Sequence, residues 1–180
     1  ALGHREPGRS DIKEVIISRN WGDDKADLKP EKMVDIELGY TWSGARGALS
    51  ANIYLMEYWD MLLETGKLSD VGYAIKENVG RSYRRGIELA GAWTPLTWLQ
   101  VDANATLSTN KITHFVGYFD RIDSDWNYLD GQERIDFGET DILMSPSLIG
   151  MLQFTFRPFE QTSISLNGKY VGEQYIDNTS

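Results

Sequence analysis

The chain has 180 residues, enough for one domain, and carries 27 acidic against 18 basic residues for a net charge of -9. An acidic surface repels phosphate, which argues against nucleic acid as a partner. There is no Cys, so neither a disulfide framework nor a thiolate metal site is expected, and no apolar run is long enough for a transmembrane helix.

Residues 1–31 open irregularly. Gly3, Pro7, Gly8 and the charges around them mark a broken backbone, and Val15, Ile16 and Ile17 predict a short strand. The segment NWGDDKADLKPE reads as a polar loop closed by Pro30. Alternation is clearest over 32–42, where Val34, Ile36, Leu38, Tyr40 and Trp42 point one way and Asp35, Glu37, Gly39 and Thr41 the other. SGARG (43–47) is a predicted turn, with Gly44 and Gly47 able to take a positive φ. The return arm sets Leu49, Ala51, Ile53 and Leu55 against Ser50, Asn52, Tyr54 and Met56. Helix competes with strand over 49–63; Ile53, Tyr54 and the preceding turn favour strand.

Residues 64–79 read as a second polar connection with a short strand near Tyr73 to Ile75. A long hairpin follows. Ile87, Leu89 and Trp93 share a face opposite Arg84 and Glu88; across a Pro95-containing turn, Leu99, Val101, Ala103, Ala105 and Leu107 face away from Gln100, Asp102, Asn104 and Thr106. Residues 111–141, dense in Asp and aromatics, are the longest predicted loop. Strands over Met144 to Phe156 and Thr162 to Ile176, joined by the turn RPFEQ (157–161), end the chain.

Short turns thus alternate with long connections, and Trp42, Trp93, Trp98 and Phe159 all sit beside the short turns. Half-buried alternating strands usually belong to a soluble sandwich. Against that, these arms exceed the usual strand of about five or six residues and match the roughly 9–11 residues that cross a bilayer. A transmembrane barrel has short periplasmic turns, long external loops and an interfacial aromatic belt. The predicted class is all-β, a long antiparallel meander forming part of a transmembrane β-barrel. A soluble extracellular sandwich that binds a ligand is the competing reading.

Few residues carry recognisable chemistry. His4 and His114 are far apart, which argues against a His-based metal site. Asp123, Asp125 and Asn127 have the first, third and fifth spacing of a calcium loop, but Tyr128 and Arg134 stand where Gly and Glu are needed, so an EF-hand is rejected. No nucleophile–base–orienter set is visible, so no enzyme, catalytic residue, metal site or cofactor is expected. Arg81, Arg84 and Arg85 are candidates to line a polar lumen, or to salt-bridge with Glu88 and neighbouring strands. Tyr118, Phe119, Trp126 and Tyr128 are candidates to stack on a ligand, or simply to pack a long loop. Arg84 and Arg85 with those four aromatics form the candidate ligand-binding set, and Glu88, Gln100, Asp102 and Asn104 are expected to line the inner wall beside Arg84.

HREPGRSD (4–11), LKPEKMVDIELGYTW (28–42), NIYLMEYWDML (52–62) and ENVGRSYRRGIELAGAWTP (77–95), in that order, resemble the C-terminal barrel region of TonB-dependent outer-membrane receptors. SPSLIG (145–150) and KYVGEQYIDN (169–178) resemble the late strands of that family, in the flavour of its Bacteroidetes members. The resemblance implies a roughly 22-stranded barrel with an N-terminal plug that imports iron–siderophore complexes, cobalamin or sugars. Residues 1–180 would then be a C-terminal portion of about seven or eight strands, with the plug and most of the barrel absent. The implied partners are outer-membrane lipid, a small-molecule metal chelate, and the TonB complex reached through the missing N-terminal region. The implied location is the outer membrane, with an iron–siderophore complex as the favoured cargo.

Overall fold

The computed structural model describes residues 1–18, 28–68 and 72–180. Among these the elements are β1 (Leu2–Arg5), α1 (Arg9–Ser18), β2 (Glu31–Gly44), β3 (Gly47–Leu68), β4 (Ala74–Leu96), β5 (Leu99–Ile122), β6 (Tyr128–Asp141), β7 (Leu148–Phe159) and β8 (Thr162–Val171). All eight strands join one antiparallel sheet in the order β1-β2-β3-β4-β5-β7-β8, and β6 pairs with β5 off that path. The all-β meander is the architecture expected from the alternation, and 49–63 is strand rather than helix.

Register makes the two faces explicit. Leu38, Ile53, Ile87, Leu107 and Leu148 form one continuous cross-strand row. Tyr40, Ala51, Leu89, Ala105, Gly150 and Tyr170 form the next. On the other face, Gly39, Asn52, Glu88 and Thr106 make a row, as do Ala92, Asp102, Gln153 and Asn167. The period-2 pleat therefore keeps one apolar and one polar face across the whole sheet. The apolar face is bare: Leu38 is 74% exposed and Leu166 65%. Among the described residues no second sheet covers it.

The short turns lie at one end, at Ala45–Arg46, Thr97–Trp98 and Glu160–Gln161. Gly44 and Gly47 do not take the positive φ expected of them. Gly47 is needed for closeness instead, since a Cβ there would sit 2.8 Å from the carbonyl oxygen of Ala92. Pro95 lies just before its turn, at the register shift between Trp93 and Leu96, where no ladder N–H is demanded of it.

The other end differs more from expectation. β3, β4 and β5 run to 22, 23 and 24 residues. About 9–11 residues cross a bilayer, so roughly half of each strand projects beyond it. The predicted connection over 64–79 is mostly the tip of the β3–β4 hairpin. The predicted loop over 111–141 is mostly the β5–β6 hairpin, with a true turn only at 123–127. Alternation fails as a guide here because the backbone is irregular: Asp60 is left-handed (φ 57°), the β3–β4 register shifts between Glu64 and Leu68, and the β5–β6 register shifts three times. Beyond Asp60, the Ser82 hydroxyl donates to the Met61 sulfur at 3.7 Å, on the side opposite the Arg81–Trp59 contact. The packed core lies in this projecting part, with Val79, Ile112, Phe115 and Ile142 at its centre and Met61, Leu63 and Phe137 against them.

Four assignments are corrected. Residues 2–5 are a strand, paired with β2, not irregular chain. Val15, Ile16 and Ile17 lie in α1, not in a strand: the Asp11 carboxylate accepts the Gly8 N–H at 2.9 Å, Ile12 N–H donates to Gly8 O at 3.1 Å, and this starting turn overrides their β-branched preference. β7 starts at Leu148 rather than Met144, and β8 stops at Val171 rather than Ile176. Beyond it the chain runs on without strand structure beside 141–148, Met144 N–H donating to Tyr175 O at 2.8 Å. Most of the predicted 20–31 loop, residues 20–27, lies outside the described residues.

Candidate ligand-binding site

Two concavities hold polar side chains in usable positions. The first lies on the polar face of the membrane-spanning part and encloses about 360 Å³. Glu37, Asn52, Tyr54, Arg84, Glu88 and Ser145 are among its lining residues. The register explains this grouping: Asn52 opposes Glu88 and Gly39, and Glu88 opposes Thr106, so each points inward from neighbouring strands. Arg84 Nη1 donates to Ser145 Oγ at 3.0 Å, and Ser145 Oγ donates to the Leu143 carbonyl at 3.1 Å. Asn52 Nδ2 donates to Glu37 Oε2 at 3.1 Å. One guanidinium faces two carboxylates here, a surface able to orient a polar ligand or a polar protein segment.

The second concavity, about 430 Å³, opens at the long-connection end. Thr65, Gly66, Lys76, Phe115, Tyr118 and Phe119 contribute to its wall, with Asp177 and Asn178 from the C-terminal segment. Phe119 and Phe137 pack at 5.9 Å between ring centroids, and Phe115 and Phe137 at 6.4 Å, which fixes the aromatic side. Lys67 Nζ sits 5.2 Å from the Tyr118 ring centroid and 2.7 Å from Glu77 Oε1. Lys76 Nζ is 3.0 Å from Asp11 Oδ1, so helix α1 is tied to this wall. The Asp177 carboxyl is held below the usual range because the hydroxyl and N–H of Thr179 both donate to it. Gln132 braces the cavity from the side, donating to Gly66 O at 2.9 Å and accepting from Leu68 N–H at 3.1 Å.

The six candidate residues fall into four places. Tyr118 and Phe119 share the loop-end cavity, and Arg84 lines the polar-face concavity. Trp126 and Tyr128 are at the β5–β6 tip, 83% and 75% exposed, and do not join Tyr118. Arg85 is on the outward face with Arg81: both pair with Glu57, Arg85 Nε donating to Glu57 Oε1 at 3.0 Å. Glu88, not Arg85, is the inward neighbour of Arg84. Thr65, Gly66, Lys76 and Asn178 are wall residues that sequence reasoning missed. Gly66, a positive-φ glycine in a polar stretch, was the one local signal; the place of Asn178 depends on a contact to Leu143 N–H at 2.8 Å that no local pattern announces.

The Asp123 tip is self-contained. Its Oδ1 accepts the N–H of Asp125 at 2.8 Å and of Asn127 at 2.9 Å. Those bonds, led by Asn127, hold its pKa below the usual aspartate range. Among the described residues no cluster of three or more His, Asp or Glu is placed to hold a metal.

The family model described as TonB dependent receptor-like, beta-barrel, matches residues 15–180. No curated protein sequence matches the chain. The solved structure titled copper transporter OprC superposes with a TM-score of 0.65 at 18% identity, covering 94% of this chain and 23% of its own. The FrpB iron transporter from Neisseria meningitidis (F3-3 variant) gives a TM-score of 0.42 at 10% identity, covering 79% of this chain and 27% of its own. The chain therefore spans about a quarter of the length of these structures.

Proposed function

The chain belongs to the TonB-dependent receptor-like β-barrel family of the outer membrane, and from that premise we propose that it forms wall and external mouth of a receptor importing an iron–siderophore-type complex with energy relayed by the TonB system. The family is one of transporters, a non-enzymatic class. In this reading residues 1–180 are a C-terminal portion of the barrel, and plug and TonB contact are supplied by the rest of the parent protein. The observation that carries the reading is the loop-end cavity. Its aromatic wall of Phe115, Tyr118 and Phe119 suits a cargo with flat apolar surface, as the aromatic groups of a metal chelate have. The barrel that shares the fold is titled a copper transporter, which supports a metal-bearing cargo only by analogy of fold.

The test is equilibrium binding to the intact receptor with ferric catecholate, ferric hydroxamate, cobalamin and an oligosaccharide as probes. One ferric chelate is expected to bind at least about 100-fold more tightly than cobalamin or the sugar. Replacing Tyr118 and Phe119 by Ala is expected to weaken it about tenfold, as lost stacking would. Preferred binding of cobalamin or sugar would overturn the cargo assignment. Undiminished chelate binding by the double variant would remove the loop-end cavity from the site.

A further inference from the structure

Asn178 carries a donor that the protein does not use. The residue is only 5% exposed, and its Oδ1 accepts the Leu143 N–H at 2.8 Å. A backbone N–H needs an acceptor, so the side-chain amide stands with its oxygen on Leu143 and its NH2 turned away. That NH2 makes no hydrogen bond among the described residues. The fully buried side-chain atoms without a partner are Asp35 Oδ1 and Thr140 Oγ1, and Asn178 Nδ2 is not one of them. It therefore keeps contact with open space, and the space that Asn178 adjoins is the loop-end cavity. Buried polar groups are almost always hydrogen-bonded, so a fixed donor held open on a cavity marks a place for an acceptor.

The donor is held in place from both sides. Met144 N–H donates to Tyr175 O and Asp141 N–H to Ser180 O, each at 2.8 Å. Between them, Thr179 closes a turn on Asp177 Oδ1 with its N–H at 3.0 Å and its hydroxyl at 2.7 Å. With the Leu143 contact, the segment is fastened to 141–144 at three points, and Asn178 cannot swing away without breaking them. The charge of the wall decides which acceptor fits. Glu64 and Asp177 are its acidic residues, while its cation, Lys76, has Nζ on Asp11 at 3.0 Å. A carboxylate on a ligand would meet like charge there, whereas a neutral carbonyl would not. The rings of Phe115, Tyr118 and Phe119 wall the same cavity.

We propose that the side-chain amide of Asn178 is a specificity-determining donor, which binds a neutral carbonyl-type oxygen carried beside an aromatic ring of the cargo. This rests on the loop-end cavity being the cargo site, and it names the chemistry read there. The ring lies on the aromatic wall, the oxygen takes the Asn178 NH2, and an anionic group in place of that oxygen is rejected.

Fluorine NMR binding to the intact receptor tests this, with para-fluoroacetophenone, para-fluoroethylbenzene and para-fluorobenzoate as probes. The first two share a shape and differ in the oxygen. Binding at the site is the part lost when Tyr118 and Phe119 are both replaced by Ala. Asn178→Asp keeps the oxygen that the Leu143 N–H needs and removes the donor, provided the pH is about 8, well above the ordinary aspartate range. It is expected to weaken the ketone about fivefold, as the loss of one hydrogen bond does, and to leave the ethyl probe unchanged. Amide exchange at Leu143 is expected to stay at its wild-type rate, which separates lost recognition from lost packing. Wild-type protein is expected to bind the ketone at least about fivefold more tightly than the benzoate. Equal ketone binding by wild type and Asn178→Asp overturns the proposal and leaves the cavity standing as an aromatic site. Preferred binding of the benzoate overturns the neutral acceptor. Absence of site binding by all three probes removes the cavity itself, and the proposal with it. Preference of the receptor for cobalamin or a sugar overturns the cargo assignment alone, because the probe result stands without it. If Asn178→Asp does not assemble, wild-type protein with Asn-selective nitrogen-15 labelling decides: a side-chain amide resonance moved by the ketone and not by the ethyl probe is expected, and its absence overturns the proposal.

Discussion

The side-chain amide of Asn78 donates to the carbonyl oxygen of Asp60 at 2.6 Å, across the β3–β4 hairpin. The same side chain exchanges two hydrogen bonds with the Lys29 backbone, at 2.7 and 2.9 Å. One residue thus ties the entry into β2 to the point where β3 leaves regular alternation. Asn78→Ala should loosen both. Each lost bond to an otherwise unsatisfied backbone group costs about 1–3 kcal/mol. The expected result is faster limited proteolysis at residues 28–31, with the short-turn end unaffected. Unchanged cleavage would show that Asn78 is not the tie.

Leu89 and Asp102 lie on opposite faces of the β4–β5 ladder, Leu89 in the middle of the outward band. A charge at the bilayer midplane costs about 2–4 kcal/mol in such barrels, so Leu89→Lys should cut the folded fraction of the intact receptor. Asp102→Asn should change it by less than about 1 kcal/mol, because the group is on the polar face. Heat-modifiable gel migration reads both. Equal tolerance would contradict the face assignment.

Gly66 takes φ 82°, and a Cβ there would lie 2.3 Å from the Tyr118 carbonyl oxygen. Gly66→Ala must therefore push the β3 tip away from β5, at a cost of about 1–3 kcal/mol. The expected readouts are faster amide exchange at Tyr118 and Phe119 and weaker cargo binding, with assembly in the membrane preserved. Gly72, which has open space around it, should tolerate Ala better despite its φ of 83°.

The Asp123 tip should resist acid further than a free aspartate would. Its folded pKa is depressed by the Asn127 and Asp125 donors, so its stabilisation is complete above the ordinary aspartate pKa and is lost as pH falls through the depressed one. Amide exchange at Asn127, followed as pH is lowered, should show protection persisting where ordinary aspartates are already protonated. Asp123→Ala should remove that protection at every pH. A wild-type midpoint at the ordinary value would refute the assignment.

The membrane-spanning half was legible because its rule is simple. From Ile36 to Trp42 and from Leu99 to Leu107 every second side chain meets lipid, and a strict two-residue period survives in the sequence. The short turns were legible for the same reason, as the only interruptions of that period. The projecting half was not. There Asp60, Gly66 and Gly138 take positive φ, the ladders bulge, and Phe115 packs with Val79 of the neighbouring strand and with Ile142 beyond β6. Such positions are set by tertiary contact, so a polar composition over 64–79 and 111–141 looked like loop. Arg85 shows a finer failure. Its parity with Ile87 and Leu89 places it outward, but a charged side chain suggested the lumen. The candidate aromatics divided because a hairpin of this length separates its tip from its base: Trp126 is carried away from Tyr118 by the paired strands between them.

β5 has two successive partners on one edge, β7 along Leu99–Leu107 and β6 along Lys111–Ile122. That fork divides the chain's tolerance for change. A residue inserted into 99–107 would turn every following side chain of the wall to the wrong solvent, because a slip of one reverses both faces. An insertion near the β5–β6 tip alters only a finger that the wall ladder does not share. Length variation can therefore accumulate in the finger, while the wall that must remain sealed keeps its count.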